Sequence, residues 1–74
     1  MELTIEQFLE QYGDVKVKFS SYYKFTFTFI GKIDDDHTVI VNVGGNSNDI
    51  YREHFIADKE YTVRELGINY VTVK

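Results

Sequence analysis

Residues 22–33 carry the pattern that most constrains the fold of this chain. Their aromatic and aliphatic side chains fall on odd positions: Tyr23, Phe25, Phe27, Phe29 and Ile33. The even positions carry the more polar residues: Tyr22, Lys24, Thr26 and Thr28. Because successive side chains of a strand point to opposite faces, this alternation predicts a β-strand with one apolar face. The rings on that face require a core to pack against, and the even positions are expected to face solvent.

A short amphipathic helix is predicted ahead of that strand. Thr4 is the expected N-cap, with Gln7 as its partner in a capping box. Gly13 is placed to end the helix as a left-handed residue. Between these ends the apolar residues recur at i, i+3, i+4 and i+7: Ile5, Phe8, Leu9 and Tyr12. Since a helix this short is marginal alone, we expect the stripe to pack on a sheet.

The segment Val15–Phe19 is predicted as the first strand, with its odd positions facing inward. The same parity continues to Phe29, which leaves two interpretations of the join at Ser20–Tyr22. A hairpin with a three-residue loop would pair Phe19 with Tyr23 on one face. The alternative is one long strand, bent or bulged at the serines. We favour the hairpin, because about 19 residues at ~3.3 Å each would make a strand too long for so small a domain.

An acidic turn at Asp34–His37 is predicted to join two strands, the second being Thr38–Val43. A three-residue loop there would match the apolar faces of both strands. It would place Phe27 opposite Val43 and Phe29 opposite Val41.

The rest of the chain predicts two further strands and a helical turn. Gly44–Asp49 is loop by composition, and Ile50–Ile56 is a strand of poorer alternation. Thr62–Glu65 repeats the capping-box pattern and predicts a single helical turn that ends at Gly67, before the last strand, Ile68–Val73. The predicted fold is α+β: a short N-terminal helix on a mainly antiparallel sheet of four to five strands.

Length and composition narrow the class of protein. The 74 residues form one small domain, 1–74, and contain no cysteine, which excludes disulfides and thiolate metal sites. No apolar run approaches the ~20 residues of a membrane helix and no signal peptide is recognisable, so a soluble, cytoplasmic protein is expected. Eight Lys and Arg against twelve Asp and Glu give a net charge of −4. That charge opposes direct nucleic-acid binding and favours a basic partner.

Two polar loops are candidates for a metal-binding or ligand-binding site. Asp34–His37 joins three carboxylates to an imidazole, but neighbouring residues of a turn point apart and no calcium-loop pattern follows. Gly44–Asp49 is the loop best suited to a small anion, yet it lacks the lysine and the long helix of a phosphate-binding loop. Neither His37 nor His54 lies in a catalytic pattern. No metal, cofactor or catalytic residue is therefore predicted.

The leading functional hypothesis is a non-enzymatic protein-binding module. Surface tyrosines are favoured interface anchors, and carboxylates steer association with a basic partner. The expected contacts lie on the helix side or at the acidic turn: Glu6, Glu10, Asp14, Tyr22, Asp34, Asp35 and Asp36. In size and charge the chain resembles small cysteine-free inhibitors from phages and mobile elements, including the anti-CRISPR class. This resemblance implies an inhibitor that occludes a positive groove.

Two alternatives belong to other functional classes. A small-ligand-binding or sequestering oligomer would use the glycine-rich loop and the residues after it: Gly44, Gly45, Asn46, Asn48, Tyr51 and Arg52. In that case the guanidinium of Arg52 would clamp a phosphate. A structural protein, homo-oligomeric or virion-associated, would instead pair the exposed sheet edges of identical copies.

Overall fold

The computed structural model describes residues 1–44, 59–66 and 68–74. In chain order the elements are β1 (Glu2–Thr4), α1 (Ile5–Tyr12), β2 (Lys16–Tyr23), β3 (Thr26–Lys32), β4 (Thr38–Gly44), β5 (Glu60–Thr62), a 3₁₀ turn (Arg64–Leu66) and β6 (Tyr70–Val73). The strands form one antiparallel sheet in the order β1-β6-β4-β3-β2-β5. The predicted α+β class is confirmed, with six strands in place of four to five. The predicted strand Ile50–Ile56 lies outside the described residues.

The core lies between α1 and the inner face of the curled sheet. Phe8 of the helix and Phe27 and Phe29 of β3 are enclosed there. The other core side chains come from five strands and the turn after β5: Leu3, Val17, Val39, Val41, Tyr61, Val63, Val71 and Val73. Phe29 meets Tyr61 edge to face, with the ring centroids 5.7 Å apart. Burial of these side chains supplies the main driving force for folding.

The predicted positions of both helix ends are confirmed. Thr4 Oγ1 accepts a hydrogen bond from the Gln7 N–H at 3.1 Å, and Gln7 Oε1 accepts one from the Thr4 N–H at 3.0 Å. Gly13 ends the helix, and its N–H donates to the Leu9 carbonyl at 2.9 Å. Its φ of 76° is positive as predicted, but its ψ of −161° is extended and not that of the predicted left-handed residue. The short strand β1, which was not predicted, leads directly into this cap.

The predicted hairpin turn at Ser20–Tyr22 is wrong. β2 continues through both serines to Tyr23, and the chain reverses at Lys24 and Phe25. A bulge at Ser20 shifts the register, so that Phe19 lies opposite Phe29 while Tyr22 lies opposite Phe27. Because of the extra residue, the inward positions of β2 change from odd numbers before the bulge to even numbers after it.

The exchange of faces corrects two predictions about tyrosines. Tyr22 turns inward and its ring centroid lies 4.8 Å from that of Phe27. Tyr23 turns outward, and with Phe25 it leaves the predicted inner face. The alternation of residues 22–33 therefore describes an apolar face only from Phe27 onward.

The second hairpin follows the predicted register. Phe27 lies opposite Val43 and Phe29 opposite Val41, with the acidic turn between the two strands. Gly44, predicted as the first residue of a loop, instead belongs to β4 and is paired with Thr26. Residues 45–49 of that loop lie outside the described part of the chain.

The single helical turn predicted before the last strand is also confirmed. Thr62 Oγ1 accepts a hydrogen bond from the Glu65 N–H at 3.2 Å, and the Thr62 N–H donates back to Glu65 Oε1 at 3.3 Å. This capping box starts the 3₁₀ turn.

Gly31 lies at a close crossing of strands. A β-carbon at this position would collide with the backbone oxygen of Lys16 and would lie 2.7 Å from Val17 Cγ1. The start of β2 can therefore cross closely over β3 because residue 31 has no side chain. Beyond this crossing the Val63 N–H donates to the Val15 carbonyl at 3.3 Å, which brings the chain after β5 over the core.

Replacing Gly31 with Ala should lower the free energy of unfolding by about 1–3 kcal/mol, because the added methyl group meets backbone that cannot move aside cheaply. Urea denaturation followed by circular dichroism measures the change. Gly44→Ala is the matched control, since nothing lies within 4 Å of a β-carbon there. Equal stability of the two variants would contradict the proposed crossing.

Candidate functional site

The exposed side of α1 carries two of the predicted contact residues, Glu6 and Glu10. They lie one turn apart on a helix without a basic residue. The third predicted acid, Asp14, is already paired: Arg64 Nε donates to its Oδ1 at 3.3 Å. Of the three, Glu6 and Glu10 form no ion pair with the described residues, so their charges are the ones open to a partner.

The acidic turn uses much of its own hydrogen-bonding capacity. Asp34 Oδ1 accepts from the backbone N–H groups of Asp36 and His37, both at 2.8 Å, and lies 2.9 Å from His37 Nδ1. These bonds, the side-chain bond from His37 first, hold the pKa of the Asp34 carboxyl below its ordinary value. Asp35 lies 3.9 Å from Lys32 Nζ, and both side chains are largely exposed. Asp34 therefore shapes the turn, while Asp35 and Asp36 face solvent.

No group of three or more His, Asp or Glu side chains among the described residues is placed to hold a metal ion. In the same part of the chain, no helix is long and apolar enough to cross a bilayer.

The tip of the β2–β3 hairpin combines exposed rings with an unusual backbone. Tyr23 is 71% and Phe25 62% exposed. Lys24 and Phe25 have φ angles of 47° and 65°, and positive φ at both central residues is what a type I′ turn requires. Asn-Gly is the usual sequence of such a turn, because glycine and asparagine tolerate positive φ whereas other residues held there cost roughly 1–2 kcal/mol each. The turn was missed because neither Lys nor Phe signals it; the one hint is that Lys24 is the only charged residue between Phe19 and Gly31.

A third exposed ring lies at the same end of the sheet. β3 begins, β4 ends and β6 begins there, so Tyr70, which is 58% exposed, shares that end with the hairpin tip. We call this the hairpin end, defined by Tyr23, Phe25 and Tyr70. The acidic turn lies at the opposite end of β3. Tyr22 and Asp34–Asp36, predicted to act together, are therefore separated by the length of that strand.

Two shallow grooves flank Tyr70. One, of about 390 Å³, is lined by Glu2, Ile40, Asn42 and Thr72 together with Asn69 and Tyr70. The other, of about 350 Å³, is lined by Thr4, Ile5 and Glu6 with the same Asn69 and Tyr70. Sequence analysis selected Glu6 but missed Glu2 and Tyr70, because β1 was not recognised as a strand beside β6.

The alternative ligand site falls almost wholly outside the described residues. Gly44 is in β4, whereas Gly45, Asn46, Asn48, Tyr51 and Arg52 belong to the segment that the structure does not describe. That site stays a prediction.

No protein-family model matches the chain, and neither a curated protein nor a solved structure matches it.

Replacing His37 with Ala should raise the pKa of Asp34 toward the ordinary value of 3.8, because the largest cause of the lowered pKa is removed. With a lowered pKa in the folded state, Asp34 contributes stability that is fully present above its unfolded pKa. That contribution is lost as the pH falls through the folded pKa. Carboxyl NMR titration of both proteins measures the shift, and an unchanged Asp34 pKa in the variant would contradict the assigned cause.

Replacing Phe25 with Gly should raise the free energy of unfolding by about 1 kcal/mol, since glycine adopts positive φ without steric cost and the exposed ring loses little packing. Urea denaturation measures the gain. Ile30→Gly, at a partly exposed position within β3, is the control and should be destabilising. Destabilisation by Phe25→Gly would show that the ring supports the fold.

Proposed function

We propose that the chain is a non-enzymatic protein-binding module: a small acidic inhibitor that acts in the cytoplasm by docking on a larger, basic partner. In this role it is of the kind that phages and mobile elements encode against host defence systems. Size, charge and the exposed rings support the proposal.

The observation that carries it is the exposure of three aromatic rings at the hairpin end. Tyr23, Phe25 and Tyr70 are each more than half exposed, in a domain with few large apolar side chains to spare. Aromatic side chains with this exposure are the commonest energetic anchors of protein interfaces. Rings that are this exposed contribute little to the core, so a contact with a partner would give them a role.

The backbone conformation of the hairpin tip also supports a binding role. Lys24 and Phe25 occupy conformations that disfavour residues with side chains. Strain of this kind is characteristic of functional positions, where the rest of the fold stabilises a locally unfavourable conformation. Holding Phe25 there reduces the conformational entropy that binding would otherwise cost.

The carboxylates would supply long-range attraction. The net charge is −4, and Glu6 and Glu10 lie on the exposed side of α1, with Glu6 beside Tyr70 at the hairpin end. Opposite charge on a partner would speed association and orient it before the rings make contact. Asp35 and Asp36, at the far end of the molecule, would add to the field without touching a partner bound at the hairpin end.

Assembly through sheet edges, as in the structural alternative, is less favoured. Within the described part of the chain the outermost strands are β1 and β5, and each has three residues. Such short edges offer few free backbone groups for pairing with another copy.

The test begins with co-purification of the tagged chain from its native host at low salt, and continues with the purified pair. The double variant Tyr23→Ser/Phe25→Ser should weaken binding by about thirtyfold or more, the effect of losing an anchor worth roughly 2 kcal/mol. Ile30→Ser, a partly exposed apolar residue away from the tip, is the control and should change affinity less than about threefold. Circular dichroism confirms that the variants fold.

Three outcomes would count against the proposal. Absence of any complex at low salt, at every stoichiometry, would contradict a protein-binding function. Equal affinity of the double variant would contradict the hairpin end as the contact surface. Concentration-dependent dimers of the wild type in light scattering, lost in the double variant, would assign the rings to self-association.

A further inference from the structure

We propose that Tyr70, with Glu2 and Glu6 on either side, is a docking site for an arginine side chain of the basic partner. The inference rests on the proposed function and adds the chemical group that the partner must present.

Strand pairing and the start of α1 assemble the site from residues far apart in the chain. In the β1–β6 ladder Thr4 lies opposite Tyr70 and Glu2 lies opposite Thr72, so Glu2 is the diagonal neighbour of Tyr70. The Ile5 N–H donates to the Asn69 carbonyl at 2.9 Å, which fixes the first turn of α1 against the start of β6. Glu6 is therefore held on the other side of the tyrosine.

The two grooves show that there is room beside the ring. Glu2 lines the groove of about 390 Å³ and Glu6 the groove of about 350 Å³, and Tyr70 belongs to both. The larger groove also has an apolar wall at Ile40 and an amide at Asn42. A long side chain with an apolar stem and a polar head fits this combination.

The charge around the ring favours a cation. Among the described residues, no lysine or arginine lines either groove, and neither Glu2 nor Glu6 forms an ion pair. The N-terminal amine, adjacent to Glu2 in sequence, donates to the Val73 carbonyl at 2.8 Å, away from the ring. Two carboxylates beside an exposed aromatic face attract a positive group and repel phosphate.

The geometry points to arginine rather than lysine. A guanidinium is planar, so it can stack on the tyrosine ring while its N–H groups donate to a carboxylate as a pair. An ammonium is a more strongly hydrated point charge and gains less from the same surface.

Tyr23 shows what distinguishes Tyr70 from the other exposed tyrosine of the hairpin end. Lys24 Nζ lies 5.2 Å from the centroid of the Tyr23 ring, within the range of a cation–π contact. The chain's own cation therefore occupies the Tyr23 ring. Tyr70 has no such contact with a described residue, and so it remains open to a cation from outside.

The test uses a short peptide of alternating Arg and Gly, titrated into the ¹⁵N-labelled full chain and followed by NMR. Amide shifts should centre on Asn69–Thr72 and Glu2–Glu6. Tyr70→Ser should weaken binding at least about threefold, as should Glu2→Gln/Glu6→Gln, and the matching Lys-Gly peptide should bind more weakly than the Arg-Gly peptide.

One control matches the charge variant. Asp35→Asn/Asp36→Asn removes the same charge from exposed acids at the opposite end of the sheet. It should change the affinity for the Arg-Gly peptide less than about twofold. Equal weakening by the Asp35/Asp36 variant, shifts centred on residues 34–37, or no shifts at all would overturn the site.

Failure of the site and failure of the proposed function give different results. If the partner binds Tyr70→Ser as tightly as the wild type, the arginine site is wrong while the protein-binding function stands. If the peptide binds at Tyr70 as expected but no protein partner is found, the site stands and the proposed function fails.

Discussion

The close crossing of β2 over Gly31 is the contact on which the rest of the structure depends. A flat sheet of six strands could not be covered by a helix of eight residues. Because Gly31 has no side chain, the start of β2 can approach it closely, and Val17, Tyr61 and Val63 join the core, with Tyr61 edge to face against Phe29. The sheet thereby supplies part of its own cover, which is how so small a chain encloses three phenylalanines in one core.

The bulge at Ser20 lets β2 and β3 keep their apolar side chains on the same face although a two-residue turn joins them. Reversal at Lys24 and Phe25, continued without a bulge, would place Phe19 opposite Ile30 and so oppose an inward residue to an outward one. With one extra residue in β2, Phe19 lies opposite Phe29, so that both rings face the core. On the other side of the bulge, Tyr22 faces the core and Tyr23 faces solvent. The exposed surface of the hairpin end is therefore a consequence of how the two strands keep their apolar faces matched.

Features held by short-range contacts could be predicted from the sequence. The Thr4–Gln7 and Thr62–Glu65 capping boxes join residues three apart, and the Phe27–Val43 register follows from period-2 patterns on both sides of a recognisable turn. The candidate site could be predicted only at Glu6. Tyr70 and Glu2 come together through the pairing of Thr4 with Tyr70, across almost the whole chain and within a strand of three residues. A strand that short carries no periodic signal.

The two ends of the sheet differ in how many of their side chains make contacts within the molecule. At the acidic turn, Asp34 accepts two backbone N–H groups and contacts His37, so one of the three carboxylates there stabilises the turn itself. At the hairpin end, the aromatic rings of Tyr23 and Phe25 lie outside the core. The positive φ angles of Lys24 and Phe25 are those for which Asn-Gly is the usual sequence. An Asn-Gly turn would relieve this strain without changing the core, because the Phe25 side chain is mostly exposed. The proposed binding role would give a use to Phe25 on this backbone and to the exposed ring of Tyr70 between Glu2 and Glu6, which the packing of the core does not.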